Sequence, residues 1–428
     1  GTVALASGAS QTGFGRTGTV DWDTTPKTAT FTAVSGDGFF ANTTGGAFTC
    51  NLPAGVAGAI VSLADYAATW DSNALTVSPN GSDKIGGTNA SVVLNTEGQS
   101  VTFVFVDSTQ GWVNVQDSTS NERGSAFITA TGGTVTTSGD FKIHTFTGPG
   151  TFCVSAGSGP LATTSYLVVG GGGSGAHDRG GGGGAGGFRY FLDTTCAPVS
   201  GAPGAPLNGF GSPTPSGTQI IASATAFPIT VGAGGATAPP GVGAVGSVST
   251  FSTVTSAGGG RGGGGPTPGG GGPTGGNGGS GGGARDDSPS SGGSGNTPPV
   301  TPPQGNDGGN VTGPGFGGGG GGATAAGASG GGPSNPGGDG AGLPTAFGSN
   351  GVPCGSFRFY AGGGGAGGPT TAATGGKGGG TPGGPPSGPA TAATANTGGG
   401  GGGGGNAPGV GFGGTGGSGI VVIRYKFQ

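Results

Sequence analysis

A long glycine-rich tract, bracketed by two apolar, strand-like segments, occupies most of this chain. Residues 165–169 (Ser-Tyr-Leu-Val-Val) precede its first glycines, and residues 420–425 (Ile-Val-Val-Ile-Arg-Tyr) follow its last ones. A flexible linker has no reason to begin and end on segments suited to β-pairing. The brackets therefore predict a rigid glycine-built body closed by a small β-sheet, with residues 167–169 and 421–423 in the same sheet.

The glycine content leaves three kinds of chain to consider, and two of them fit poorly. Glycine supplies 119 of the 428 residues and proline 32, a share at which collagen or disorder has to be weighed. Collagen needs glycine at every third position, and uninterrupted runs such as 317–322 and 398–405 break that register. Disordered chains usually carry more charge than the 7 % found here. An ordered glycine body is therefore favoured.

Ordering so many glycines costs backbone entropy, so a systematic interaction must offset that cost. Polyglycine can form an extended left-handed helix with three residues per turn and no internal hydrogen bonds. Helices packed side by side then satisfy one another's N–H and C=O groups. Because a Cβ atom would block this approach, inner helices must be nearly pure glycine. Outer helices can carry Ala, Ser, Thr or Pro at the exposed third position. The tract thus predicts a polyglycine II bundle, with proline-rich and aromatic segments as its turns.

The remaining patterns predict an all-β protein with essentially no α-helix, because no long segment has a 3.6-residue period. Residues 1–18 are expected to form an N-terminal arm or linker, and residues 19–122 a β-sandwich-like module. Residues 123–170 are expected to supply a β-connector and base strands. Residues 171–428 are then the glycine-rich polyglycine II domain, closed by a C-terminal strand and clamped by the β-base.

Two β-hairpins are predicted from strand-like segments that flank glycine-containing turns. The first joins residues 101–106 to residues 112–115 through Asp-Ser-Thr-Gln-Gly. The second joins residues 141–146 to residues 151–154 through Gly-Pro-Gly.

The four cysteines leave the disulfide pairing open, because they allow three pairings if all are bridged. None has a Cys-x-x-Cys spacing, which disfavours a zinc site. Cys50 and Cys153 lie in strand-like segments and are expected to be small core residues. Cys196 and Cys354 lie in loop-like segments, where a bridge between them is one alternative.

Charge and motifs disfavour several classes of function. The net charge of -4, with 13 Lys and Arg, argues against nucleic acid as the main partner. The sequence contains no run of about 18 apolar residues, so insertion into a membrane is not expected. His144 is expected to be a half-exposed strand residue, and His177-Asp178-Arg179 a solvated turn or a polar receptor contact. No catalytic order of Ser, His and Asp can be argued from these two histidines, so no enzymatic activity and no cofactor are expected.

No metal site is expected either. The charged triplet at residues 285–287 lacks the spacing of a calcium-binding loop.

Ordered landmarks in the glycine region resemble a known family. They are Tyr-Leu-Val-Val-Gly at 166–170, Gly-Ala-Gly-Gly-Phe-Arg at 184–189, Ile-Thr-Val-Gly-Ala-Gly at 229–234, Tyr-Ala-Gly at 360–362 and Gly-Ile-Val-Val-Ile-Arg-Tyr at 419–425. This succession resembles the glycine-rich domain of tail fibres and adhesins of tailed bacteriophages, over roughly residues 141–427.

An earlier part of the chain is similar to a module common in structural proteins of marine cyanophages. The matching segments are residues 20–23, 38–44, 52–55 and 105–112.

These resemblances imply a virion structural protein, a tail fibre or adhesin that mediates attachment to the host cell. Such adhesins carry polyglycine II bundles and bind host surface receptors, whether glycan or outer-membrane protein, through loops at the tip of the bundle. Other phage tail proteins would be its neighbours, and fibre proteins of this kind are commonly homotrimers. The implied location is the tail appendage of the extracellular phage particle. The receptor and the host stay unspecified, and proline-rich loops of unusual length depart from the family pattern.

The expected receptor contacts are aromatic or charged residues set among proline and glycine, because the flanks of a glycine body offer few side chains. They are Tyr190, Phe191, Phe210, Arg285, Asp286, Asp287, Phe316 and Phe347. For each aromatic residue the alternative is that it caps the bundle and meets no partner. The alternative function is a purely structural or ice-binding polyglycine bundle, which Thr-Ala clusters at residues 323–326 and 370–374 keep open.

Overall fold

The computed structural model describes residues 20–118, 126–192, 220–222, 224–237, 243–265, 272–287, 289–313, 315–332, 334–406 and 411–428. The chain divides into two compact units, Gly1–Arg123 and Gly124–Gln428. The fold is all-β, as predicted, and the described residues contain no α-helix. Within the described ranges the chain also forms two short 3-10 turns, at Gly159–Ala162 and Thr345–Phe347.

The first unit is built from strands that wind between two sheets. Its strands are β1 (Asp21–Lys27), β2 (Phe31–Thr32), β3 (Asp37–Ala41), β4 (Phe48–Asn51), β5 (Ile60–Asp65), β6 (Leu75–Ser78), β7 (Val92–Leu94), β8 (Ser100–Asp107) and β9 (Gly111–Ser118). One sheet has the order β1-β3-β5-β8-β9 and the other β2-β4-β6-β7. In the first sheet β3 pairs in parallel with β1 and β5, and in the second sheet β4 pairs in parallel with β2 and β6.

One hydrophobic core lies between these two sheets, as in a β-sandwich. It combines Cys50 of β4 with Leu63 of β5, and Trp70 and Trp112 are fully buried in it. The hairpin predicted from residues 101–115 is confirmed, since β8 pairs antiparallel with β9 and Phe105 lies opposite Trp112. Burial raises the pKa of the Cys50 thiol to about 12, as expected for a small core residue.

The second unit combines a β-base with the glycine body. Its strands are β10 (Ala126–Thr131), β11 (Thr134–Ser138), β12 (Phe141–Phe146), β13 (Gly150–Ser158), β14 (Thr163–Val169), β15 (Phe188–Phe191), β16 (Ile220–Ile221), β17 (Ala226–Thr230), β18 (Ser249–Phe251), β19 (Val254–Ser256), β20 (Ala341–Pro344), β21 (Val352–Cys354), β22 (Phe357–Tyr360) and β23 (Ile420–Lys426). The sheets are β10-β13-β17-β18-β19, β11-β12-β23-β14-β15 with β16 beside β14, and β20-β22-β21.

The C-terminal strand β23 lies in the middle of the second of these sheets, between β12 and β14. Leu167 is paired with Val422, which confirms that the two bracketing segments are neighbours in one sheet. Successive residues of β23 face opposite sides, so Val421 enters one hydrophobic core and Val422 another. This two-sided burial explains its nearly continuous apolar sequence.

The hairpin predicted from residues 141–154 is wrong. Strand β12 pairs with β11 and β23, whereas β13 pairs with β10 and β17 in a different sheet. The Gly-Pro-Gly connection therefore crosses between sheets. The prediction failed because the partner of β12 comes from the far C-terminus, which a local turn signal cannot reveal.

One expectation about the cysteines is corrected, and one open alternative is excluded. Cys153 is exposed on β13 and is not a core residue. Cys354 is an exposed free thiol, so it forms no bridge, and Cys196 lies outside the described residues.

Beyond β14 the chain crosses the body repeatedly in extended segments. Gly170, Gly171 and Gly172 donate their N–H groups to three different neighbouring segments, at N···O distances of 2.9–3.0 Å. The next three residues donate to the same three segments in the same order. The direction of the donated hydrogen bonds therefore repeats every three residues, as it does in the polyglycine II helix. The predicted bundle is present.

The inner segments are nearly pure glycine because a side chain would have no space. A Cβ atom built on Gly172 would overlap the carbonyl oxygen of Gly399, and one on Gly183 would overlap that of Gly173. The exposed positions of the outer segments carry side chains and recur at a spacing of three, as predicted. They include Ala233 and Ala236, Val245 and Val248, Thr274 and Asn277, Ser291 and Ser294, Asp307 and Asn310, Ala326 and Ser329, Thr371 and Thr374, and Thr391 and Thr394.

Candidate functional site at the far end of the bundle

The bundle has two ends, and the β-strands mark one of them. The segment at residues 170–176 leaves β14, and the segment at residues 180–187 returns into β15. The turn at residues 177–179 joins these two antiparallel segments, so it lies at the end away from the β-base. We call this the far end.

Charged residues from two turns meet at the far end. Arg179 donates from Nη1 to Oδ2 of Asp286 at 2.8 Å. Arg285 donates from Nη2 to Oδ2 of Asp178 at 3.1 Å and from Nη1 to Oδ2 of Asp287 at 2.6 Å. The Nε of Arg285 also donates to the backbone carbonyl of Asp178 at 3.1 Å. We call these five residues the far-end charge cluster.

The far-end charge cluster is partly buried, so its ion pairs affect the stability of the fold. Arg285 is 5 % exposed and Asp286 6 %, whereas Asp287 is exposed. Removing one partner from a buried ion pair leaves an uncompensated charge and typically costs about 3–5 kcal/mol. The second carboxylate oxygen of Asp286 accepts the N–H of Gly315. The cluster therefore fastens three connections of the far end to one another.

The local backbone accounts for this arrangement. Asp178 and Arg179 have φ values of 52° and 51°, which place the tight turn in the left-handed region that Asp tolerates better than most residues. Arg285 ends a segment whose backbone is held by the bond from its own N–H to the carbonyl of Pro273, at 2.8 Å. A Cβ atom on Gly265 would lie 3.3 Å from Cζ of Arg285, so glycine leaves space for the guanidinium group.

Aromatic rings lie beside these charges. Phe316 is half-buried, and its ring fills the space that a Cβ atom on Gly368 would need. The rings of His177 and Phe412 are 5.5 Å apart at an angle of 39°. The far end therefore presents charged groups and aromatic edges together, a combination favoured at protein interfaces.

The predicted contact residues are divided between the two ends of the bundle. Arg285, Asp286, Asp287 and Phe316 lie at the far end. Phe210 lies outside the described residues.

The other three aromatic candidates belong to the β-base. Tyr190 is 7 % exposed and Phe347 is 1 % exposed, both in one hydrophobic core. Phe191 is half-buried and stacks on Tyr166, with ring centroids 6.0 Å apart. These three positions fit the alternative given for the aromatic residues, in which the ring caps the bundle and meets no partner. An aromatic residue next to glycine and proline has the same sequence pattern in either place.

Phe412 was not among the predicted contacts, and Asp178 and Arg179 were considered only as one of two alternatives, a polar receptor contact or a solvated turn. The available signal was charge complementarity, because His177-Asp178-Arg179 and Arg285-Asp286-Asp287 are charged triplets between glycine-rich runs. Opposite charges in two such turns favour their meeting at one end.

Other chemistry is not indicated by the part of the chain that is described. It contains no group of three or more His, Cys, Asp or Glu side chains arranged to hold a metal ion. It also contains no helix that is long and apolar enough to cross a membrane.

A β-base that supports a polyglycine II bundle defines a class of glycine-rich domain. The model of the glycine-rich domain family matches residues 146–426, well over half of the chain, and the chain belongs to that family. No curated protein matches the chain.

Proposed function

We propose that this protein is a structural protein of a tailed-phage virion, a tail fibre or adhesin whose far end contacts a receptor on the host cell surface. The observation that carries the proposal is the distribution of side chains on the second unit. Its outer segments expose mainly small or uncharged residues, whereas the far end gathers the charge cluster with Phe316 and Phe412. Specific recognition needs varied side chains, which only loops on a rigid scaffold can supply here.

The glycine body then serves as the rigid support for the recognition surface. Backbone hydrogen bonds in three directions hold each inner segment, so the turns at the far end are anchored at both of their ends. An anchored surface loses less conformational entropy on binding than flexible loops do. The receptor is a glycan or an outer-membrane protein, and the protein acts as a homo-oligomer among other tail proteins.

Binding of the labelled full-length protein to whole cells tests this proposal. The resemblance to a marine cyanophage module makes marine cyanobacterial strains the first panel. On a strain that binds, we expect Asp287→Ala or Phe316→Ala to weaken binding by about 1–2 kcal/mol, the loss typical of a contact residue, when binding is measured at a temperature at which circular dichroism shows both variants folded.

The matched control is Thr394→Ala on an exposed outer segment, which should leave binding unchanged. If far-end substitutions and turn truncations all leave cell binding intact, the glycine body is a spacer and recognition belongs to another protein.

A second candidate function, ice binding, is favoured by one specific feature. Thr371 and Thr374, and likewise Thr391 and Thr394, are exposed at a spacing of three residues on outer segments. With three residues per turn and a rise of about 3.1 Å, successive threonines stand about 9.3 Å apart on one face. A regular Thr and Ala face is suited to an ordered, repeating surface such as ice.

Inhibition of ice recrystallisation separates the two candidates. An ice-binding protein should act at micromolar concentration and lose activity in Thr394→Lys, while Asp287→Ala keeps it. An inactive wild-type protein would remove this second candidate and leave the first untouched.

A further inference from the structure

Strand β11 is an open edge of the β-base. It ends the sheet order β11-β12-β23-β14-β15, and within the described residues it pairs only with β12. All five of its residues, Thr134 to Ser138, are exposed, and the Val135 side chain is 45 % exposed.

The hairpin geometry determines which backbone groups of β11 face outward. A two-residue turn joins the strands, with Ser138 opposite Phe141. In such a hairpin the pair next to the turn exchanges both hydrogen bonds, and every second pair after it does the same. Thr136 therefore bonds to β12, whereas the N–H and C=O groups of Val135 and Thr137 point away from the sheet.

The described edge lacks three features that often prevent strand addition. Protective features include charged side chains, proline and bulges. The segment Thr-Val-Thr-Thr-Ser contains no charge and no proline, and its register with β12 is continuous from Thr134 to Ser138. Its outward groups therefore form a ready template for another strand.

We propose that β11 pairs with β11 of a second copy of this chain, antiparallel and centred on Thr136. In this register Thr136 meets its own equivalent, and Val135 meets the equivalent of Thr137. Each of the two Val135–Thr137 pairs exchanges two bonds, which gives about four backbone hydrogen bonds. Facing threonines can also bond through their hydroxyl groups, and no like charges meet.

A second copy of the chain is favoured over an unrelated peptide because β11 is complementary to itself. In the antiparallel pair each copy supplies the backbone donors and acceptors that the other needs, and neither strand carries a charge. Val135, half exposed in one chain, is covered in the pair. The contact also lies on the β-base, in the sheet from which β14 leads into the bundle. It leaves the far end uncovered, so the inference does not depend on the proposed function.

Sedimentation of the full-length protein over a range of concentrations tests the contact. The wild type should show a reversible equilibrium between monomer and dimer. Val135→Pro removes an outward N–H from each copy but none that bonds to β12, a placement that edge strands tolerate. We expect it to raise the dissociation constant about tenfold or more, given two lost hydrogen bonds, while the circular dichroism spectrum is unchanged. Val135→Thr is the matched control and should still dimerise.

A charge pair at Thr136 tests the register itself. Thr136→Lys and Thr136→Glu each place like charges opposite one another in a pair of identical chains, so each alone should dimerise poorly. An equal mixture of the two should recover dimers. A wild type that stays monomeric at all concentrations, an oligomer that Val135→Pro leaves unchanged, or a mixture no better than its components would overturn the proposal.

Discussion

At the residue scale, His144 shows how one buried polar side chain links two distant parts of the chain. It is fully buried, contrary to the half-exposed position expected from the sequence. Nδ1 lies 2.7 Å from the carbonyl oxygen of Gly132, and Nε2 lies 2.9 Å from the hydroxyl of Tyr425 on β23. Because a carbonyl only accepts, Nδ1 carries the proton and Nε2 accepts from the tyrosine. The neutral ring is thus satisfied on both sides.

This arrangement predicts a loss of stability in mild acid. Burial lowers the pKa of His144 below its ordinary value of 6.5, the nearby charge of Lys142 lowers it further, and the Gly132 carbonyl opposes the shift. The unfolded chain therefore binds a proton more readily than the folded one. His144 contributes stability that is present above pH 6.5 and is lost as the pH falls below it. We expect the free energy of unfolding, measured with urea, to decrease between pH 7.5 and 5.5.

The two histidines of the chain supply a matched pair of variants for this measurement. His144→Gln should flatten the pH dependence in that range, whatever its effect on absolute stability. His177→Gln leaves His144 in place and should keep the slope. An unchanged slope in His144→Gln would show that another group causes it.

At the element scale, the polyglycine segments depend on the absence of side chains. Gly183 illustrates this, because a Cβ atom there would overlap the carbonyl oxygen of Gly173 in the adjacent segment. That neighbour is backbone held in its own hydrogen bonds, so it cannot rotate away as a side chain would.

Gly183→Ala should therefore be strongly destabilising. Overpacking typically costs about 1–3 kcal/mol, and displacement of backbone places this case at the upper end. Gly332→Ala is the matched control, since nothing lies within 4 Å of its Cβ position. Thermal melting of both variants makes the comparison, and equal melting temperatures would contradict close packing of the segments.

Hydrogen exchange tests the same segments without substitution. The amides of residues 398–405 lie largely in the interior, and Gly401 and Gly404 donate to Gly173 and Ala176 at 3.0 and 2.7 Å. We expect these amides to be strongly protected. Exchange at random-coil rates would mean that the bundle does not form in solution.

At the scale of the second unit, the chain is closed by its last strand. Strand β23 pairs with β12 and β14, and both hydrophobic cores of the β-base include its residues. Its removal would expose apolar surface on both faces of the sheet and release the end of the last glycine segment.

Truncation after Gly419 should unfold the β-base and loosen the bundle. Limited proteolysis measures this, with truncation after Phe427 as the control, because that cut removes only the exposed Gln428. A protein that ends at Gly419 and is still soluble and protease-resistant would show that the glycine body is stable without its closing strand.

Features that depend on local chemistry could be predicted from the sequence. Glycine runs that exclude Cβ atoms, side chains at every third exposed position, and the apolar segments around Val168 and Val422 predicted the bundle and its β-base. The aromatic candidates were predicted less well, because Phe316 at the far end and Phe347 in the core have similar neighbours in sequence.

The lateral order of the segments could not be predicted in this way and is known from the three-dimensional fold. One glycine segment offers the same donors and acceptors as another, so the sequence does not distinguish their partners. The order in the array is determined by the β-base and the turns, where side chains differ. For the same reason the pairing of β12 with β23, and of Arg179 with Asp286, emerged only when distant parts of the chain were brought together.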